Sequence, residues 1–161
     1  GPRGSSSAAR LSSPPAHYDE VFTVGATNEA NALAAFSSRG PVSTDGSGRT
    51  KPDIAAPGVG ILSAYPGGTY EYNDGTSMAG PHVVGVVALM WSANPALIGD
   101  IERTEQILIA TARPHNDTPL SLVDPADAPP VCGDPEARPN NLVGYGVVDA
   151  FAAVEMALAE P

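Results

Sequence analysis

From Ser77 to Ser92 the chain reads as one long helix with apolar side chains on nearly every face: Val83, Val84, Val86, Val87, Leu89, Met90 and Trp91. A helix that is apolar all round belongs in a core rather than on a surface, so whatever fold forms must be built around this segment. A membrane span is excluded by length. The longest apolar run, Val83 to Trp91, is broken only by Gly85 and falls far short of the roughly 20 residues a bilayer requires. Asn94-Pro95 ends the helix, because the residue before a proline is pushed out of helical geometry. With 161 residues, 42% hydrophobic and 16% charged, the chain suits a single globular domain able to bury a sizeable core.

The flanks supply the rest of the framework. Val21-Phe22-Thr23-Val24, closed by Gly25, has the β-branched and aromatic pattern of a buried strand. Ile54-Ala55-Ala56 and Ile61-Leu62-Ser63-Ala64 read as short strands either side of Pro57-Gly58, and Tyr70 and Tyr72 alternate with Glu71 just before the long helix. Asp100 is placed to N-cap a second helix carrying Ile101, Leu108 and Ala112 on one face. Asp149 is placed to cap a last helix with Phe151, Val154 and Leu158 on one face. Residues 1–15 and 37–52 are turn-rich, and 114–141 form a Pro- and Asp-rich excursion. Strands alternating with helices indicate an α/β class.

Charge narrows the partners. The formal net charge is −10 and the only lysine is Lys51, so there is no basic patch for nucleic acid or an anionic membrane. Cys132 is the single cysteine and has no partner for an internal disulfide. The chain does not open on a basic segment followed by an apolar one, the signature of a signal peptide.

The chemistry concentrates in Gly75-Thr76-Ser77-Met78-Ala79-Gly80-Pro81-His82-Val83. Here a serine stands between a small-residue turn and the start of the apolar helix. Gly75 permits a tight turn and close approach of a substrate chain. A helix N-terminus offers free N–H groups and a partial positive charge. The Ser77 amide can therefore help hold the oxyanion that forms when a carbonyl is attacked, and the Thr76 hydroxyl stands where it supports the same charge. Pro81 lacks an N–H, so the Ser77 carbonyl loses its helical partner; the expectation is a loosened first turn.

Gly75-Thr76-Ser77-Met78-Ala79-x-Pro81-His82-Val83 resembles the nucleophile motif of the subtilisin-like serine endopeptidases, the subtilases. Val24-Gly25-Ala26, Phe36-Ser37-Ser38-Arg39-Gly40-Pro41, Lys51-Pro52-Asp53-Ile54-x-Ala56-Pro57-Gly58 and Tyr145-Gly146-x-Val148-Asp149-Ala150 recur in the family's order. The resemblance covers about residues 1–158, and Gly80, where relatives more often carry Ser, Thr or Ala, is a mild departure. It implies that Ser77 is the catalytic nucleophile, acting through an acyl-enzyme on a polypeptide substrate. Ser77 and Thr76 would support the oxyanion, and Pro15, Gly75 and Met78 would border the substrate pocket. The fold implied is the C-terminal portion of a three-layer α/β/α domain, with a mostly parallel sheet and a central buried helix that starts at the nucleophile.

The family's Asp, His and oxyanion Asn have no counterpart in residues 1–161. The resemblance places them upstream, with Gly1-Pro2 as the tail of the Asn turn. Residues 1–161 are then the C-terminal part of a single peptidase domain whose upstream half is absent. Alone it is expected to be inactive and to associate with itself, or to need that half as its partner. The family setting is secreted or extracellular. A pseudoprotease or a non-catalytic scaffold of the same fold is the alternative, and upstream His and Asp motifs would separate the two. An esterase is disfavoured, since the Gly-x-Ser-x-Gly elbow is missing around Ser77.

The histidines do not supply a base. His82 lies five residues past Ser77, about 1.4 turns on and directed away from it; it reads as a packed structural residue. His17 follows Pro14-Pro15-Ala16 and reads as a loop side chain, and His115 follows Arg113-Pro114 at a helix end and reads as solvated. No cofactor is required and no metal ligand set is read from the residues. The resemblance does suggest a cation, calcium or a monovalent ion, on the backbone carbonyls of Ala16, Tyr18 and Val21. It also suggests a cis Pro14–Pro15 bond. Thr44-Asp45-Gly46-Ser47-Gly48 supplies one carboxylate and reads as a plain turn rather than a calcium loop. Asp53 reads as a structural carboxylate tied to an amide or an arginine, and Met78 as an oxidation site beside the nucleophile.

Overall fold

A computed structural model describes residues 14–115, 134 and 136–161. Expectations for Gly1-Pro2, for most of the 114–141 excursion and for Cys132 lie outside the described residues. In chain order the elements are β1 (Val24–Thr27), β2 (Ile54–Pro57), β3 (Ile61–Tyr65), β4 (Thr69–Asn73), α1 (Thr76–Ala93), a 3-10 turn (Pro95–Leu97), α2 (Ile101–Thr111) and α3 (Ala150–Ala159). No helix among the described residues is long and apolar enough to cross a membrane.

β1 and β2 pair in parallel, Val24 opposite Ile54 and Ala26 opposite Ala56. A parallel bridge from Ala55 to Val147 extends this sheet on the far side of β2, and Arg113 bridges Val147 beyond it. β3 and β4 form a separate antiparallel hairpin. Because alternate strand residues face opposite sides, Ala26, Ile54 and Ala56 enter the main core with α1, α2 and α3. Ala55 instead packs against Leu142 and Val143 on the other face. This is an α/β architecture in which all three described helices gather on one side of the parallel sheet.

The expected strand at Val21–Val24 begins only at Val24. The preceding backbone is claimed by side chains and by the start of β2. Thr23 N–H donates to Asp53 Oδ2 at 2.6 Å, and Val21 O accepts from the Lys51 ammonium at 2.9 Å. The outer edge of β1 is also covered in part: Ala26 N–H donates to Ser37 Oγ, and Ala26 O accepts from Ala34 N–H.

α1 starts one residue earlier than expected, at Thr76, and runs unbroken across Pro81. The loosened first turn expected from the proline is not seen. The missing bond falls at the Ser77 carbonyl, within the first turn, where the helix carries on without it. Ala79, Val83, Val86 and Met90 are buried, spaced as one helical face, whereas Val84 is 68% and Leu89 55% exposed. The centrally buried helix of the sequence is thus buried on one side only, because nothing among the described residues covers the other.

Both aspartate caps form. Asp100 Oδ1 accepts from Arg103 N–H and Asp149 Oδ1 from Ala152 N–H. The buried faces differ in part from those expected. Leu108 and Ala112 are buried as expected, with Thr104 and Ile107 beside them, and Ile101 is exposed. α3 buries Ala153 and Ala157 and turns Phe151 and Leu158 outward. α3 lies against α1, and alanines let two helix axes come close where large side chains would hold them apart. Asn94 locks this pair: its amide donates to Ala157 O at 3.0 Å, and its side-chain oxygen caps the following turn at Ala96 N–H. Trp91 Nε1–H donates to Thr104 Oγ1 at 3.0 Å, tying α1 to α2.

Candidate active site

Ser77 stands in the first turn of α1, at the end of the sheet where β1 and β2 finish. Consecutive turns are stitched there by backbone: Gly58 N–H donates to Thr27 O and Gly75 N–H donates to Gly58 O, each at 2.8 Å. The Asp74 carboxylate accepts from Gly60 N–H at 2.6 Å. Ligand sites of parallel α/β sheets lie outside the carboxyl ends of the strands, and Ser77 occupies that position.

Gly75 takes φ +157°, strained for any residue with a side chain, and a β-carbon there would press on Met78 Sδ at 3.3 Å. The helical hydrogen bonds begin with Met78 N–H and Ala79 N–H, both onto Gly75 O. The Thr76 and Ser77 amides precede that ladder and point out of the helix end as donors. Ser77 is exposed, with Thr76 and Met78 half-buried beside it. A shallow groove joins Ser77, Met78, Pro81 and His82 to Ile61, Leu62 and Ser63 of β3. The contribution of β3 to this groove was missed in the sequence; the strand itself was visible, but its place beside Ser77 depends on the Gly58–Gly75 contact.

The histidines fall as follows. The His82 imidazole Nδ1–H donates back to Met78 O at 2.9 Å, so its ring lies along the helix surface, in the groove but without a hydrogen bond to Ser77. His17 packs edge-on against Tyr18, and His115 ends the described segment before 116. No described residue stands as a base on Ser77. Pro15 follows the cis Pro14–Pro15 bond that the resemblance implied. It is exposed and is not among the residues lining the Ser77 groove.

Asp53 is structural, as expected, but its cation is a lysine rather than an arginine: Oδ2 accepts from Lys51 Nζ at 2.7 Å and from Thr23 N–H. Asp45 sits in a self-contained turn, accepting from Ser47 N–H at 2.9 Å and from Arg49 at 2.7 Å. The Ser47 hydrogen bonds, and then Arg49, lower its pKa to about 2. No group of three or more His, Cys, Asp or Glu side chains placed to hold a metal occurs among the described residues.

On the uncovered side of α1 lies a wider apolar groove. Phe22, Val24, Val84, Val87, Trp91 and Ile101 line it, with Glu105 at its rim. Partial burial, and after it the charge of Asp53, holds the Glu105 carboxyl above its ordinary pKa.

The chain matches known proteins along almost its whole length. The model of the subtilase family, peptidase S8, matches residues 4–146, and the chain belongs to that family. It is 45% identical over 141 residues to bacillopeptidase F of Bacillus subtilis (strain 168), covering 87% of this chain and 8% of that protein. It is 45% identical over 95 residues to a subtilisin of Bacillus pumilus, covering 59% of this chain and 31% of that protein. Among solved structures, the Clostridium perfringens CspB protease superposes with TM-score 0.67 at 33% identity, over 92% of this chain and 29% of that one. The patellamide maturation protease PatA superposes with TM-score 0.62 at 27% identity, over 91% of this chain and 46% of that one. The chain therefore spans less than half the length of each of these relatives.

Proposed function

We propose that this chain supplies the nucleophile of a subtilisin-like serine endopeptidase, and that Ser77 is that nucleophile. The observation that carries the reading is the position of Ser77: exposed, in the first turn of α1, with its amide outside the helical ladder and a groove beside it. In the reaction the Ser77 hydroxyl oxygen bonds to the carbonyl carbon of the scissile peptide while its proton passes to a base. The Ser77 amide donates to the resulting oxyanion. Collapse expels the amine and leaves an acyl-enzyme, which water hydrolyses. This chemistry needs no redox or organic cofactor.

The base, its orienting carboxylate and a second oxyanion donor are assigned to polypeptide upstream of residue 1. The length of the relatives supports this, as does the exposed apolar groove on α1, which upstream chain would cover. The substrate is a polypeptide and the setting extracellular. On this reading residues 1–161 alone are inactive and self-associate through that groove.

Fluorophosphonate labelling of Ser77, read by intact mass, tests the assignment. The expected result is labelling when the upstream polypeptide is present, none without it, and none in Ser77→Ala. Labelling of the 161-residue chain alone would mean that a base within it activates Ser77. Absence of labelling in both samples would favour the second reading, a pseudoprotease or scaffold, which the lack of a base beside Ser77 among the described residues also accommodates.

A further inference from the structure

The hairpin β3–β4 turns an apolar side to solvent. Leu62 stands opposite Tyr72 and Ala64 opposite Tyr70. Strand side chains alternate between faces, so these four share one face, with Ser63 and Glu71 on the other. Antiparallel sheets commonly pack the apolar face on the core and leave the polar face wet. Here Leu62 is 52%, Tyr70 72% and Tyr72 71% exposed, and no hairpin residue enters either core cluster. Tyrosine gives a large, rigid contact area with little rotamer freedom to lose, so two of them exposed beside a leucine make a surface suited to binding.

Three observations choose the occupant. The face continues the groove at Ser77, because Leu62 belongs to both. The Gly60–Asp74 hydrogen bond closes the base of the hairpin and fixes its orientation to the nucleophile turn. A segment docked permanently there would obstruct the nucleophile, whereas a substrate chain would run onto it. The repeat also fits: Tyr70 and Tyr72 are two residues apart, roughly 7 Å along a strand, and an extended peptide presents its alternate side chains at the same spacing. Charge sets the remaining condition. From Pro52 to Glu102 the chain has no lysine or arginine, while Glu71 and Asp74 belong to the hairpin and its base. Like charge repels an acidic partner.

We propose, resting on the assignment of Ser77 as nucleophile, that Leu62, Tyr70 and Tyr72 form an accessory binding surface for the polypeptide substrate, continuing outward from the Ser77 groove. It takes an extended, non-acidic segment with aromatic or large apolar side chains at alternate positions, away from the bond that is cut.

The test uses the 161-residue chain assembled with its upstream polypeptide. Quenched-fluorescence peptides share one cleavable centre in a Gly-Ser frame, and a pair of tyrosines at positions n and n+2 is moved outward residue by residue. At one offset kcat/KM should rise roughly tenfold over the plain frame, chiefly through KM. An n, n+1 pair should gain less, since one ring then points away, and an aspartate pair should gain nothing. Tyr70→Ser/Tyr72→Ser should bring the ratio towards one, and Tyr70→Phe/Tyr72→Phe should keep it. The proposal is overturned if no offset gives a gain, if adjacent and alternate pairs gain alike, or if the gain survives the double serine variant. Resistance of Tyr70 and Tyr72 to nitration in the assembled protein would also overturn it, since the upstream chain would then cover the face. Fluorophosphonate labelling separates the two assignments: a labelled Ser77 with no gain at any offset removes the accessory surface alone, whereas an unlabelled Ser77 removes the nucleophile and the surface with it.

Discussion

A β-carbon on Gly58 would lie 2.6 Å from the Gly75 carbonyl oxygen and 2.8 Å from the Ala26 side chain. Neither neighbour can swing aside, since one is backbone and the other a fully buried methyl. Gly58→Ala must therefore displace the turn that carries Ser77. The expected cost is about 1–3 kcal/mol in urea unfolding, with labelling of Ser77 lost in the assembled protein. Asp45 gives a pH signature. Its folded-state pKa of about 2 lies below the roughly 3.9 of an unfolded aspartate. Its contribution is therefore present above that unfolded value and is lost as pH falls through the folded one. Asp45→Asn should be less stable than the parent at pH 5, and acid melts of the two should converge towards pH 2. At this scale the sequence was most legible where the chemistry is local. The turn and helix start at Ser77 were readable because their residues are contiguous. The pairing around Lys51 was not, because it joins residues 21, 23, 51 and 53, brought together only by the alignment of β1 with β2.

The helices show where local reading stops. Asp100 and Asp149 were identifiable as caps because a cap needs only a side chain and an amide two or three residues on. Leu108 and Ala112 of α2 were placed correctly, but Ile101 there and Phe151 and Leu158 of α3 were misjudged because size was taken for depth. On α3, Ala153 and Ala157 face inward and Phe151 stands 73% exposed. Asp149→Ala should cost about 1 kcal/mol, measured by chemical denaturation. Phe151→Ala in the same chain should stay within about 0.5 kcal/mol, the reverse of what their hydrophobicities suggest. The strand at Val24 was foreseen three residues early. Its β-branched lead-in is real, but the Asp53 and Lys51 side chains take hydrogen-bonding groups that a ladder would have used.

For the whole molecule, the apolar helix was recognised from its composition, which predicts a core on every side of it. The structure meets that expectation on one face only. Val84, Leu89 and Ile101 are all more than half exposed, and an open apolar patch of this kind marks an interaction surface or an aggregation liability. The chain alone should sediment as a concentration-dependent mixture and brighten an apolar-surface dye. Adding the upstream polypeptide should suppress both, whereas a clean monomer with no dye signal would contradict the assignment of that face.

The bridge between Ala55 and Val147 joins positions more than ninety residues apart, and contacts of such separation form late. At roughly 5–20 residues per second, a ribosome needs roughly 3–11 s to travel from Ala93 to Val147. Throughout that interval the newborn Ser77 helix waits beside a sheet that lacks its third member, its apolar flank open to every neighbour in the cell.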